Sequence, residues 1–154
     1  MKNDSGTERL YKGLVHNVEN MLGSKTTTFS SDLLRIGKSL LKGKFAGIFP
    51  ADKIPILTEK VPYAIVNLDD SNESGSHWVA IAKDPSKPKI IFYDSFGRPD
   101  KLILPSLGGS GQRGDIVNTD MDREQKIQET NCGQRSIAWL LFFDKYGAKE
   151  ALKI

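Results

Sequence analysis

Three short apolar runs, each bounded by strong turn signals, constrain this chain most. Tyr63-Ala64-Ile65-Val66-Asn67-Leu68, His77-Trp78-Val79-Ala80-Ile81-Ala82 and Lys89-Ile90-Ile91-Phe92-Tyr93-Asp94 all have strand composition. Asp69 to Ser76 and Asp84-Pro85-Ser86-Lys87-Pro88 separate them with turn chemistry. Connections this short join neighbouring strands most simply as an antiparallel meander. Helical spacing flanks the runs on both sides. Leu10, Tyr11, Leu14, Val15, Val18, Met21 and Leu22 recur at helical intervals before Gly23. His16 falls on the opposite, solvated face of that helix. Ser30, Ser31 and Asp32 offer caps for a second helix to about Leu41, with Gly37 its weak point. The pattern predicts an α+β fold in one domain, helical over 7–42 and with the functional core over 45–147.

Other stretches are read more coarsely. Residues 1–6 are expected to be disordered, and 24–30 to form a loop. Phe45 to Pro55, with two prolines and a glycine, reads as a loop or sheet edge. Within 95–123, Ser95 to Pro99 is a turn and Leu102 to Leu104 a short helix or strand. Gly108 to Gly114 lacks the lysine and following helix of a phosphate-binding loop. Gln125 to Gln128 reads as a last strand, and Lys145 to Ile154 as a polar tail.

Composition narrows the function classes. A net charge of +3 permits contact with DNA without requiring it. One cysteine in 154 residues cannot close an internal disulfide, so a reducing compartment is expected. No apolar run follows Met1 as a secretory signal would, and none approaches the roughly 18 residues of a membrane span. The chain is therefore expected to be neither secreted nor membrane-bound. One cysteine and two histidines lack metal-ligand spacing, so neither metal nor cofactor is expected.

The one cysteine stands at a helix start. Asn131 is a good N-cap, and Gln134 holds the position where a capping box places Glu or Gln. Ile137, Ala138, Leu140, Leu141 and Phe142 continue the helix, and Gly147 stops it. Cys132 then meets free backbone N–H groups and the positive end of the helix dipole, which lower a thiol pKa. A nucleophile needs a base and an orienter. His77 begins the second strand run and Asp94 ends the third, so antiparallel pairing brings them side by side. Gln128, just upstream of Cys132, could complement the Cys132 N–H as an oxyanion donor. Each residue also has a plain use: Cys132 as a small core residue, His77 as an edge residue, Asp94 in a turn and Gln128 in solvent. Spacing by itself leaves both readings open.

Four patches together resemble the adenovirus-type cysteine endopeptidases and the related proteases that process SUMO and other ubiquitin-like proteins. They are Phe45 to Pro55; Ala64 to Asn67 followed by Gly75-Ser76-His77-Trp78; Ile91-Phe92-Tyr93-Asp94-Ser95-Phe96-Gly97; and Gln128 with Asn131-Cys132-Gly133. Asp94 follows His77 by seventeen positions, the separation typical of that family's base and acid. The resemblance implies a papain-like fold, a mostly antiparallel sheet packed on the helix that begins at the cysteine. It implies a triad of Cys132, His77 and Asp94, with Gln128 in the oxyanion hole and Gln125 as its alternative. Trp78 and Gly133 become substrate-binding positions. The implied activity is cleavage after small residues such as glycine, in capsid precursors or in ubiquitin-like proteins. The implied location is the virion and the host cytoplasm or nucleus. An inactive binding module on the same fold is the remaining alternative. The family's disulfide-linked peptide activator does not carry over, because there is no second cysteine.

Overall fold

The computed structural model describes residues 6–21, 30–50, 53–67, 78–85, 89–94, 115–119 and 132–154. In chain order the elements are α1 (Gly6–Met21), α2 (Ser30–Leu41), a short 3-10 turn (Lys42–Lys44), β1 (Phe45–Pro50), β2 (Tyr63–Asn67), β3 (Trp78–Lys83), β4 (Lys89–Tyr93), β5 (Asp115–Asn118), α3 (Cys132–Tyr146) and α4 (Ala148–Ala151). The strands form one sheet in the order β1-β2-β3-β4-β5. The pairs β2–β3 and β3–β4 are antiparallel, as the three apolar runs predict. Parallel strands flank this meander, β1 against β2 and β5 against β4. The result is an α+β fold with the Cys132 helix packed on the sheet.

Period-two alternation sorts the strand residues onto two buried faces. Tyr63, Ile65, Trp78, Ala80, Ala82, Ile91 and Tyr93 face a core shared with α1, α2 and α3. Ala64, Val66, Val79, Ile81, Ile90 and Phe92 form a second core with Ile54 and Leu57. Burial on both faces explains why the runs are continuously apolar instead of alternating with polar residues. On α1 the inward stripe is Tyr11, Val15 and Val18, whereas Leu10 and Met21 of the periodic set are exposed. His16 lies on the exposed face, within 3.3 Å of Asn20.

Phe45 to Pro50 resolves as an edge strand, and its punctuation has a local purpose. Gly47 has φ +130°, a conformation that L side chains rarely adopt, and the β1–β2 register shifts between Phe45 and Ile48. Pro50 closes the strand at an edge, where its missing N–H costs no ladder bond. Gly37 accommodates the same strand from α2. A Cβ there would lie 2.4 Å from Cε2 of the fully buried Phe45 ring. Gly37→Ala is expected to destabilise the protein by about 1–3 kcal/mol, because the clash outweighs the better helix propensity of alanine. A lower urea midpoint at unchanged slope is the expected observation, and an unchanged midpoint would contradict this packing.

The end of the chain departs from the polar tail that its composition predicts. α3 runs on to Tyr146, Gly147 turns the chain at φ +92°, and α4 follows. Ala151 and Ile154 are buried in the core. The fully buried Trp139 makes this possible. Its Nε1 donates to the Ala151 carbonyl at 3.1 Å, and its ring stacks on Tyr93 at 5.4 Å. Two apolar side chains and one tertiary hydrogen bond thus fold back a segment that lacks a strong pattern of its own.

Candidate active site

The sheet register sets Trp78 and Asp94 at one end of the sheet. Trp78, which begins β3, pairs with Asn67 at the end of β2, and Pro50 of β1 pairs with Asn67 from the other side. Ala80 pairs with Tyr93, so β4 ends beside the start of β3, and Asp94 is the next residue. β5 ends there too, with the Thr119 N–H donating to the Phe92 carbonyl at 3.1 Å. Asp94 is buried at this sheet end, 3% exposed.

The first turn of α3 is seated against the same place. Cys132 is its first residue, as the N-cap reading predicts. At Gly133 an added Cβ would lie 2.8 Å from Leu33 Cδ1 and 3.1 Å from Trp78 Cε3. Glycine is therefore what allows the turn to approach both α2 and β3. One turn later, the buried Ser136 Oγ donates to the Trp78 carbonyl at 3.1 Å. Trp78 directly follows His77 in the chain, and Gly133 directly follows Cys132. The structure thus brings together the chain neighbours of the proposed base and nucleophile. His77, Gln128, Gln125, Asn131 and the Cys132 side chain lie outside the described residues.

α3 is held at its far end as well. The Tyr63 hydroxyl donates to Asp144 Oδ1 at 3.0 Å, and Lys44 Nζ pairs with the same oxygen at 2.9 Å. Burial, the Asp144 hydrogen bond and the Asp144 charge together push the Tyr63 hydroxyl pKa up, so this donor stays protonated. Attachments at Gly133, Ser136 and Asp144 fix the axis of the helix. A fixed axis holds the helix dipole on Cys132 in a constant direction.

Three observations go beyond the sequence reading. Ser136 is a structural polar residue whose signal was a hydroxyl within an apolar helical run. Trp78, read as a substrate-binding position, is 4% exposed and packs in the core beside Gly133. Gln134 Oε1 is closed off from solvent without a hydrogen-bond partner among the described residues, and Asn131, its expected capping-box partner, lies outside them.

The sequence has counterparts among known proteins. The profile of the family described as Adenovirus endoprotease matches residues 44–106. That span runs from β1 past β4 and includes His77, Trp78 and Asp94, while Cys132 lies beyond it. A protease of Ovine adenovirus D serotype 7 (isolate OAV287) is 26% identical over 127 residues, covering 75% of this chain. The chain spans 63% of the length of that relative. A solved structure of the SUMO protease Ulp1, with its catalytic cysteine oxidized to a sulfenic acid, covers 99% of this chain and 90% of its own. It has a TM-score of 0.48 and 13% identity. The sequence relatives of this chain thus lie among the adenovirus endoproteases, as the His-Trp and Asp-Ser-Phe-Gly patches implied.

Proposed function

We propose that the protein is a cysteine endopeptidase that cleaves peptide bonds after small residues, and that its substrates are virion precursor proteins. One observation carries this reading. The helix that begins at Cys132 is wedged at Gly133 against Trp78, the residue after His77, at the sheet end where Asp94 terminates β4. In the proposed reaction His77 takes the Cys132 proton and the thiolate attacks the scissile carbonyl. Asp94 holds the imidazole in its working tautomer and stabilises the imidazolium. The Cys132 N–H and a Gln128 side-chain amide receive the oxyanion, with Gln125 the alternative donor. His77 then protonates the departing amine, and water hydrolyses the acyl-enzyme. Trp78 and Gly133 border the path of the substrate. No metal or cofactor enters this scheme. DNA contact rests on the mild basic charge alone, and the site of action proposed is the virion and the host cytoplasm or nucleus.

The sequence relatives favour viral precursors over ubiquitin-like modifiers as substrates, since both matches are adenoviral. The test is a peptide reporter with Gly-Gly before the scissile bond, run beside a modifier-linked reporter. The protein is expected to cut the peptide and to lose that activity when iodoacetamide blocks its one cysteine. An uncut reporter, or cutting that survives alkylation, would overturn the proposal. Cutting confined to the modifier-linked reporter would replace virion precursors with modifiers.

A further inference from the structure

We propose that Ser136 is a positioning residue for the peptidase chemistry: its hydroxyl sets where the helix start bearing Cys132 stands along the strand start that follows His77. The assignment rests on the peptidase reading above and deepens it. Ser136 is fully buried, and its Oγ donates to the Trp78 carbonyl at 3.1 Å. Both ends of that bond lie close to the reacting groups along the chain. Cys132 is one helical turn before Ser136, about 6 Å along the axis and on the same face of α3. His77 is joined to Trp78 by a single peptide bond, about 3.8 Å from Cα to Cα. A displacement at the Ser136 bond therefore reaches the nucleophile and the base with little loss.

Packing alone does not supply this control. Gly133 lets the first turn approach Leu33 and the Trp78 ring, which limits how near α3 comes. Apolar contacts of that kind are non-directional and tolerate sliding. A hydrogen bond fixes both distance and angle, and it weakens steeply when misaligned. Ile137, Ala138, Trp139 and Leu140 are fully buried beside Ser136 in the chain, and alanine at 136 would be the better helix former. A hydroxyl there offers this core nothing beyond alanine except its bond. That bond acts where strand pairing runs out. Among the described residues the β3–β4 ladder ends at the Ala80–Tyr93 pair, two residues short of Trp78. On its other side Trp78 pairs with Asn67, the last residue of β2.

Ser136→Ala removes the donor and leaves Cys132 unchanged. It is expected to lower kcat on the Gly-Gly reporter about tenfold with KM little changed, since a misplacement of about 1 Å costs about a hundredfold. The iodoacetamide-labelling midpoint of Cys132 is expected to rise by about 1 pH unit towards the free-thiol value of about 8.5, because the imidazolium moves off the thiolate. Ser136→Thr keeps the hydroxyl and is expected to recover both readouts. Thr7→Val is the comparison for stability alone. It removes the 2.8 Å bond from Thr7 Oγ1 to Glu150, which ties α1 to α4. It is expected to lower Tm while moving neither kcat nor the labelling midpoint. If Ser136→Ala lowers Tm but keeps the wild-type kcat and midpoint, Ser136 only stabilises the fold and the assignment is overturned. Failure of Ser136→Ala to fold, or a folded Ser136→Thr that behaves like Ser136→Ala, would overturn it too. In each of these cases a wild type that cuts the reporter keeps the peptidase reading. A wild type that cuts nothing removes the peptidase reading and this assignment together.

Discussion

Cys132→Ala is expected to lower kcat/KM on a Gly-Gly peptide reporter by about 10⁴–10⁶-fold, the range seen when a covalent nucleophile is removed. The size follows from the proposed chemistry. Without the sulfur no acyl-enzyme forms, and water must attack the peptide directly. The oxyanion donors and the binding contacts remain and supply the residual rate. The fold is expected to persist. The first turn of α3 is held by Gly133 against Leu33 and Trp78 and by the Ser136 bond to the Trp78 carbonyl, none of which uses the thiol. Alanine is also a good helix former, so the helix start is kept. Thermal unfolding of the variant beside wild type separates lost chemistry from lost structure. A variant that keeps its melting point and its turnover would remove Cys132 from the mechanism.

Asp94→Asn is the second large effect, about 10²–10⁴ in kcat with KM little changed. Asp94 is buried at the sheet end where β3 begins, so its replacement acts in a site largely closed to water. Asparagine matches its shape but offers an N–H₂ group where an imidazole N–H needs an acceptor. The base then settles in the wrong tautomer, and its cationic form loses the carboxylate that stabilises it. The sign of the pH effect follows. A less stable imidazolium is a weaker partner for the thiolate, so the thiol pKa rises and the acidic limb of the rate profile moves to higher pH. Pre-steady-state kinetics on the peptide reporter would show the acylation step slowed. A normal acylation rate in Asp94→Asn would assign Asp94 to the sheet end alone.

Much of this architecture was legible in the residues because the information was local. The runs at Tyr63, His77 and Lys89 became the β2-β3-β4 meander, and the helices expected from Ser30 and from Cys132 formed as α2 and α3. What escaped was held by contacts distant in sequence. β1 carries Gly47 and Pro50, which weaken a strand signal, and its partners on β2 lie seventeen or eighteen residues on. β5 has four residues and sits in a stretch with little periodicity. The buried end of the chain depends on Trp139, which is fixed by Ala151 and Tyr93. For the site, the sequence placed Cys132 at a helix start and Asp94 at a strand end, and the approach of Gly133 to Trp78 sets that helix start at the same end of the sheet. Trp78 is buried because Gly133 admits its ring beside the first turn of α3. No sequence pattern marks an unpaired Gln134 Oε1, since a glutamine at the third helical position reads as part of a cap.

The central claim is that Cys132 is held as a thiolate by a helix start and a histidine, and its titration tests this most directly. The rate of iodoacetamide labelling, followed by intact mass from about pH 4 to 10, reports the thiolate fraction of the protein's one cysteine. The account predicts a half-maximal rate below about pH 7.5 in wild type, with His77→Ala shifted back towards the free-thiol value of about 8.5. A wild-type midpoint at or above about 8.5, unmoved by His77→Ala, would contradict it.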